Sequence, residues 1–276
     1  MTAATLREVL GQAVAQRRAV AGLVVHGWED ARAYVEAAEE TRIPVILQAG
    51  PGCRRHTPTP ILGKIFRALA DRADVSVVCH IDHAATLEEC REGIDAGFTS
   101  VMIDGSRLTL DDNIALTARV VEAARRAGVS VEGEVGVVGY VDGAPSRVTA
   151  PREAERFERE SGVDALAVSV GNIHLAEEKK SVIDFAALAA IEARTRVPLV
   201  LHGGSGIPVA LRQTLARQHR VAKFNVGTEL RMAFGVALRA YLANHPRSFD
   251  RIEILSATAP AIKTAAKELL TALWRP

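Results

Sequence analysis

The residues best placed to do chemistry in this sequence are histidines at the ends of apolar runs. Val77-Val78-Cys79-His80-Ile81-Asp82-His83 is a strand-length run that closes on three titratable side chains within four residues. A buried Asp and His need pairing or coordination to offset the loss of water. Two later runs end alike, residues 165–171 leading to His174 and residues 198–201 leading to His202. Imidazole suits zinc, and three protein ligands with one open position is the arrangement of a catalytic zinc. His83, His174 and His202 are therefore the expected ligand set. For any one of them alone, a partly buried histidine with a single hydrogen bond is an equal reading; their shared placement favours the metal. Asp82 is the expected general acid or base, with orientation of a ligand as the alternative. Asp104 and Glu134, at two further strand ends, are read as groups that orient the ligands or hold an alternative metal, against a buried ion pair. His80 is read as support, and His26 is left open between the site and a structural role.

The elements that must carry these side chains alternate regularly. Apolar strand candidates over 19–25, 45–47, 77–83, 100–103, 129–131, 165–171, 198–201 and 221–224 end at or near His26, Gln48, His83, Asp104, Glu132 with Glu134, His174, His202 and Asn225. Helix candidates lie between them, over 30–41, from Pro60, from Thr86, and over 111–127, 152–161, 185–195 and 209–218, with an opening helix over 6–16. Thr86 with Glu89 has capping-box spacing, Pro60 is tolerated in a first turn, and Gly97 and Gly128 are stops. Eight strand and helix units predict a parallel sheet closed into a TIM (β/α)8 barrel, expected as a single domain over 1–276 with C-terminal helices in the tail 241–276. The tail is read as helical packing or an oligomer contact. The competing architecture, a doubly wound open sheet, would normally show a Gly-rich turn after its first strand, and Val25-His26-Gly27-Trp28 is not one. In a barrel, the carboxyl ends of the strands converge on one opening.

Composition narrows the partners. Lys plus Arg number 34 against 33 for Asp plus Glu, which provides no basic field for nucleic-acid binding. No run reaches the length of a membrane span, and residues 1–10 have no signal-type apolar core; a cytoplasmic protein without a membrane partner is expected. Cys53, Cys79 and Cys90 have no paired spacing and are read as buried free thiols. Gly203-Gly204-Ser205-Gly206 and Asn225-Val226-Gly227-Thr228 follow the seventh and eighth strand candidates, where such a barrel often holds a phosphate on backbone amides. Arg54, Arg55 and His56 form a basic cluster after the second strand, either a grip on a distal acidic group or a solvated loop. Lys179 and Lys180 carry the same two readings.

Taken together, His80-Ile81-Asp82-His83, Val101-Met102-Ile103-Asp104-Gly105-Ser106, Val131-Glu132-Gly133-Glu134-Val135-Gly136, Gly171-Asn172-Ile173-His174, His202-Gly203-Gly204-Ser205-Gly206 and Asn225-Val226-Gly227-Thr228-Glu229-Leu230 resemble the class II, zinc-dependent ketose-bisphosphate aldolases, of which fructose- and tagatose-bisphosphate aldolases are members. The segments run in family order over most of the chain. The resemblance implies one catalytic zinc on His83, His174 and His202, room for a second metal and a monovalent cation, and a phosphate held by Gly171, Gly203, Ser205, Asn225 and Thr228. It implies Asp82 as acid and base at the C3–C4 bond of a phosphorylated ketose, dihydroxyacetone phosphate as one product, and a homodimer or homotetramer.

The sequence departs from the family at four places. Val24 and Gly27 stand where asparagines flank the first-strand histidine, and Leu175 follows the second zinc histidine in place of glycine. The loop after the fifth strand reads Gly139-Tyr140-Val141-Asp142-Gly143, and Asp142 is the expected substitute for the family's proton-moving glutamate. These changes bear on substrate more than on zinc. Two alternatives stay open: a homologue with a divergent substrate or a non-catalytic zinc-binding role, and a zinc hydrolase on the same barrel, against which the phosphate segments argue.

Overall fold

The computed structural model describes residues 2–140 and 146–275. Its strands are β1 (Val20–Val24), β2 (Val45–Ala49), β3 (Val77–Ala84), β4 (Ser100–Ile103), β5 (Ser130–Val135), β6 (Gly139–Tyr140), β7 (Ala165–Val168), β8 (Ile173–His174), β9 (Leu199–Leu201) and β10 (Val221–Val226). Eight of them close a barrel in the order β1-β10-β9-β7-β5-β4-β3-β2, every pair parallel. The two-residue strands β6 and β8 pair with each other above it. All eight expected strands are present in the expected order.

The helices are α1 (Leu6–Ala15), α2 (Trp28–Thr41), α3 (Pro51–His56), α4 (Thr59–Arg72), α5 (Leu87–Asp95), α6 (Leu110–Arg126), α7 (Pro151–Ser161), α8 (Phe185–Glu192), α9 (Val209–Gln218), α10 (Thr228–Asn244), α11 (Arg251–Ser256) and α12 (Ala259–Trp274). Their starts follow local chemistry. Thr5 and Glu8 form a reciprocal capping box on α1, and Thr109, Asp184 and Asp250 accept from backbone amides at the starts of α6, α8 and α11.

The core is made of barrel strands that are buried on both faces, as the continuous Val, Ile, Leu and Ala runs require. α1 lies beneath the amino-terminal end of the barrel. It buries Leu6, Val9, Leu10 and Ala13, and its Arg7 amide donates to Ser130 Oγ at 3.1 Å. Chain closure comes from α12, which packs Ile262, Ala266, Leu269, Leu270 and Leu273 against α2 and β1. The carboxyl-terminal mouth is left open for function.

Two strands run further than sequence periodicity indicates. β5 continues through Glu132 and Glu134 to Val135, and β10 through Lys223 and Asn225 to Val226. Residues two apart on a strand share a face, and Glu132 and Lys223 are both fully buried. They form an ion pair at 2.7 Å inside the barrel.

Candidate active site

β3 brings Asp82 and His83 to the mouth. β4 ends one residue before Asp104, β5 supplies Glu134, the turn after β7 leads to His174 in β8, and His202 follows β9 directly. The structure brings the three histidines together. Their ring centroids lie 4.6 Å apart for His83 and His202, 5.4 Å for His83 and His174, and 5.6 Å for His174 and His202. One nitrogen of each falls within a 4.8 Å cluster, and His83, Asp104 and Glu134 form a second such group.

Two of the ligand candidates, His83 and His202, are oriented by carboxylates. His83 Nδ1 lies 2.8 Å from Asp104 Oδ2, leaving Nε2 turned inward. His202 Nε2 lies 3.0 Å from Glu132 Oε1, leaving Nδ1 as the free nitrogen. That Nδ1 faces Glu134 Oε2 at 3.2 Å, yet neither atom has a hydrogen-bond partner in this buried setting. A buried imidazole nitrogen and carboxylate oxygen that meet only as an ion pair, without hydrogen-bond geometry, beside two further imidazoles are what a cation would satisfy, so the donor set fits a metal with three nitrogen ligands and an open position. Asn172 fixes the backbone around them: its Nδ2 donates to His202 O at 3.1 Å and its Oδ1 accepts from Val170 N at 2.9 Å.

Electrostatics follow from burial and these contacts. Burial works to lower His202, but the Glu134 and Glu132 carboxylates outweigh it and hold the imidazole at about 10. His83 is raised despite burial, through Asp82 and Asp104. His174 is pushed down to about 3 by burial and by the charges of His202 and His83. Beneath them His80, pushed to about 3 by burial and Lys223, faces Ser100 Oγ at 2.9 Å and Lys223 Nζ at 3.3 Å. Asp82 stays below the usual carboxylate range because His83 and Lys223 overcome its burial.

The cavity over this cluster is about 460 Å³ and is lined by His26, Asp82, His83, His174, Gly203, Ser205, Asn225 and Thr228 among others. Asn225 Nδ2 donates to Asp82 Oδ1 at 3.1 Å, so this expected phosphate contact also holds the expected acid and base. Gly203 adopts φ +66°, and a Cβ there would lie 2.0 Å from Ile173 O. That left-handed turn starts the short 3-10 helix Gly204–Gly206. Ser205 Oγ accepts from the Glu229 amide at 3.3 Å, joining it to the amino terminus of α10. Gly171 does not line the cavity. Its φ of +101° makes the turn into β8, where a Cβ would lie 2.1 Å from Val182 O. Leu175 takes φ +60°, the backbone for which glycine is suited, and lines the cavity half-exposed. Asp142 lies outside the described residues.

The basic cluster after β2 divides. Arg55 lines the cavity, His56 Nδ1 contacts Thr57 Oγ1 at 2.9 Å, and Arg54 is turned into the protein, where it bonds three backbone carbonyls and Glu89. Arg54 is therefore not an exposed grip on substrate. Lys179 pairs with Glu229 at 3.0 Å and Lys180 with Glu178. Sequence reading placed Glu132 at a strand end without a role, and missed Lys223 and Arg231. An inward Lys two residues before Asn225 was the available signal for Lys223; Arg231 lines the cavity one turn into α10, and only the fold reveals it.

An α/β barrel with converging imidazoles and carboxylates at its mouth defines a class of metal-site enzymes, and sequence comparison narrows it. Residues 4–274 match the family described as fructose-bisphosphate aldolase class-II. The chain is 36% identical over 270 residues to the fructose-bisphosphate aldolase of Geobacillus stearothermophilus, covering 95% of this chain and 94% of that one. It is 37% identical over 284 residues to the 6-phospho-5-dehydro-2-deoxy-D-gluconate aldolase of Halalkalibacterium halodurans, covering 98% and 97%. Among solved structures, the YdjI aldolase from Escherichia coli K12 superposes with a TM-score of 0.87 at 30% identity, covering 99% and 97%. The chain belongs to the class II fructose-bisphosphate aldolase family and is a lyase. The family acts on phosphorylated sugars, and no helix among the described residues is long and apolar enough to cross a membrane.

Proposed function

We propose that the chain is a zinc-dependent aldolase that cleaves or forms the C3–C4 bond of a phosphorylated ketose, with dihydroxyacetone phosphate as one product. The observation that carries this reading is that Asp82 shares a cavity with His83 and His174, the two histidines that converge with buried His202 into one metal-binding group, and that Gly203, Ser205 and Thr228 line the same cavity. His83, His174 and His202 would hold the zinc, with Asp104 and Glu134 orienting them or holding an alternative metal. Bound there, zinc supplies Lewis-acid charge to the oxygens of the three-carbon fragment.

The remaining work falls to the chain's own side chains. In cleavage, the Asp82 carboxylate takes the proton of the C4 hydroxyl as the C3–C4 bond breaks; in condensation it returns that proton to the new hydroxyl oxygen. Its low affinity for protons keeps it ionised at neutral pH, and Asn225 holds its Oδ1. Gly203, Ser205 and Thr228 would hold the phosphate on the turn and helix start described above. Asn225 would act mainly through Asp82. Asp142 keeps its place as the proposed mover of the C3 proton.

Substrate choice rests on the rim. Arg55 and Arg231 line the cavity, and neither is ion-paired among the described residues. They favour a substrate whose distal end carries a second phosphate or a carboxylate. A substrate other than fructose 1,6-bisphosphate is a second reading, supported by Leu175 standing in the cavity. The test is a coupled assay for dihydroxyacetone phosphate over ketose phosphates ending in a hydroxyl, a phosphate or a carboxylate, with and without a chelator. Chelator-sensitive release, faster for the charged termini, is expected. Release that survives complete metal removal would overturn the zinc reading, and equal rates for charged and uncharged termini would overturn the role of the arginines.

The chain is further proposed to act as a homodimer or homotetramer. Met232, Val236 and Leu242 of α10, Phe249 in the segment before α11 and Ile252 within it are all exposed, apolar side chains that a contact between copies would cover.

A further inference from the structure

Asp82 and His83 are neighbours in sequence, yet both line the cavity. In a regular strand, successive side chains point to opposite faces. The irregularity is visible in the pairing of β3 with β4: Ile81 faces Val101 and Ala84 faces Ile103, so Asp82 and His83 together stand opposite Met102 alone. This is a β-bulge. Within it, His83 takes φ +50°, a left-handed conformation that a residue with a Cβ holds only where its surroundings enforce it.

The enforcing group is Arg54 of α3. Its Nη1 donates to Ala49 O and to Asp82 O, both at 2.6 Å, and its Nη2 donates to His83 O at 3.2 Å and Glu89 Oε2 at 2.9 Å. The fork thus ties the end of β2 to both carbonyls of the bulge, with its side chain 9% exposed. Glu89 completes the clamp by accepting from the Ala85 amide at 3.3 Å. Thr86 does cap α5 through the Glu89 amide, but the Glu89 carboxylate is not returned to Thr86 as the sequence spacing leads one to expect. It is engaged by Arg54 and Ala85 instead.

We propose that Arg54 is a positioning residue: it holds the His83 bulge so that the imidazole and the Asp82 carboxylate reach the same point of the cavity. A lysine would keep the charge but present one nitrogen where the guanidinium presents a fork. A glutamine would lose the charge and the reach. The proposal rests on the metal-dependent aldolase reading, and its test separates the two.

Arg54→Lys and Arg54→Gln are compared with wild type in three measurements: the dissociation constant for zinc by chelator competition, the visible absorption of the cobalt(II)-loaded protein, and kcat and KM separately. Melting temperature serves as the folding control. Zinc affinity is expected to fall about 10–100-fold in Arg54→Gln, as when a group that orients a ligand is removed, and less in Arg54→Lys. The cobalt bands should shift, and kcat should fall with KM little changed, because the phosphate cradle lies on other strands. If Arg54→Gln lowers the melting temperature while zinc affinity, cobalt spectrum and kcat stay at wild-type values, Arg54 is merely structural and the proposal is overturned. Should Arg54→Gln fail to fold, Arg54→Lys decides by the same readouts. A wild type that binds no zinc overturns the metal reading itself, and the proposal with it.

Discussion

At the scale of single residues, the site depends on carboxylates that hold imidazoles in defined orientations. His202 illustrates this. With Glu132 on Nε2 and Glu134 facing Nδ1, the carboxylates keep the imidazole protonated up to about 10. A metal must displace that proton, because it takes neutral imidazole. Zinc uptake at pH 7 is therefore expected to release a proton from His202, and zinc affinity should rise about tenfold per pH unit toward pH 9. Calorimetric titrations in buffers of different ionisation enthalpy check this; a pH-independent affinity would contradict it. The proton favours the metal-free fold below its ordinary pKa and ceases to do so as pH rises through about 10. His83, His174, His202 and Asp82 were legible in the sequence because each ends an apolar run. Glu132 and Lys223 were not, since only barrel closure turns them onto one another. Arg54 looked like part of a surface charge cluster, and its inward turn depends on carbonyls that no local pattern reveals.

At the scale of elements, alternation of strand and helix was readable to within a few residues, because parallel strands buried on both faces are continuous apolar runs. The short elements were not. α3 begins at Pro51 and runs only to His56, and β6 and β8 are two residues each, too short for periodicity to register. The turn after β9 makes an element-scale prediction. Gly203→Ala puts a Cβ 2.0 Å from Ile173 O at φ +66°, combining left-handed strain with a backbone clash. The expected cost is roughly 2 kcal/mol, a fall of about 4–8 °C in Tm. KM for the phosphorylated substrate should rise as well, because the same turn shapes the proposed phosphate cradle. An unchanged Tm measured by calorimetry would contradict the geometry; an unchanged KM would remove Gly203 from the phosphate site.

At the scale of the whole molecule, the fold explains why one face carries the chemistry. α1 covers the amino-terminal end of the barrel and α12 seals α2 and β1, leaving the carboxyl ends of the strands as the entrance. Barrel closure followed from counting eight units in sequence, whereas the exposure of the apolar residues in α10, in α11 and between them could be recognised only with the helices packed. Phe249 is 94% and Ile252 79% exposed, so charging them should leave the fold intact. Phe249→Asp with Ile252→Asp is expected to convert a wild-type dimer or tetramer into a smaller species in light scattering, with circular dichroism unchanged. A wild type that is monomeric at micromolar concentration, or a variant of unaltered mass, would contradict the proposed assembly.

The central claim joins a metal cluster to one carboxylate, and Asp82→Asn tests that union most directly. Zinc content and the rate of dihydroxyacetone phosphate release are measured on the same preparation. Zinc should remain at wild-type stoichiometry, because Asp82 is not among the three proposed ligands. The release rate should fall about 10²–10⁴-fold, the usual contribution of a positioned acid or base. Release at the wild-type rate with zinc in place would contradict the assignment of Asp82 and, with it, the account of how this barrel breaks a carbon–carbon bond.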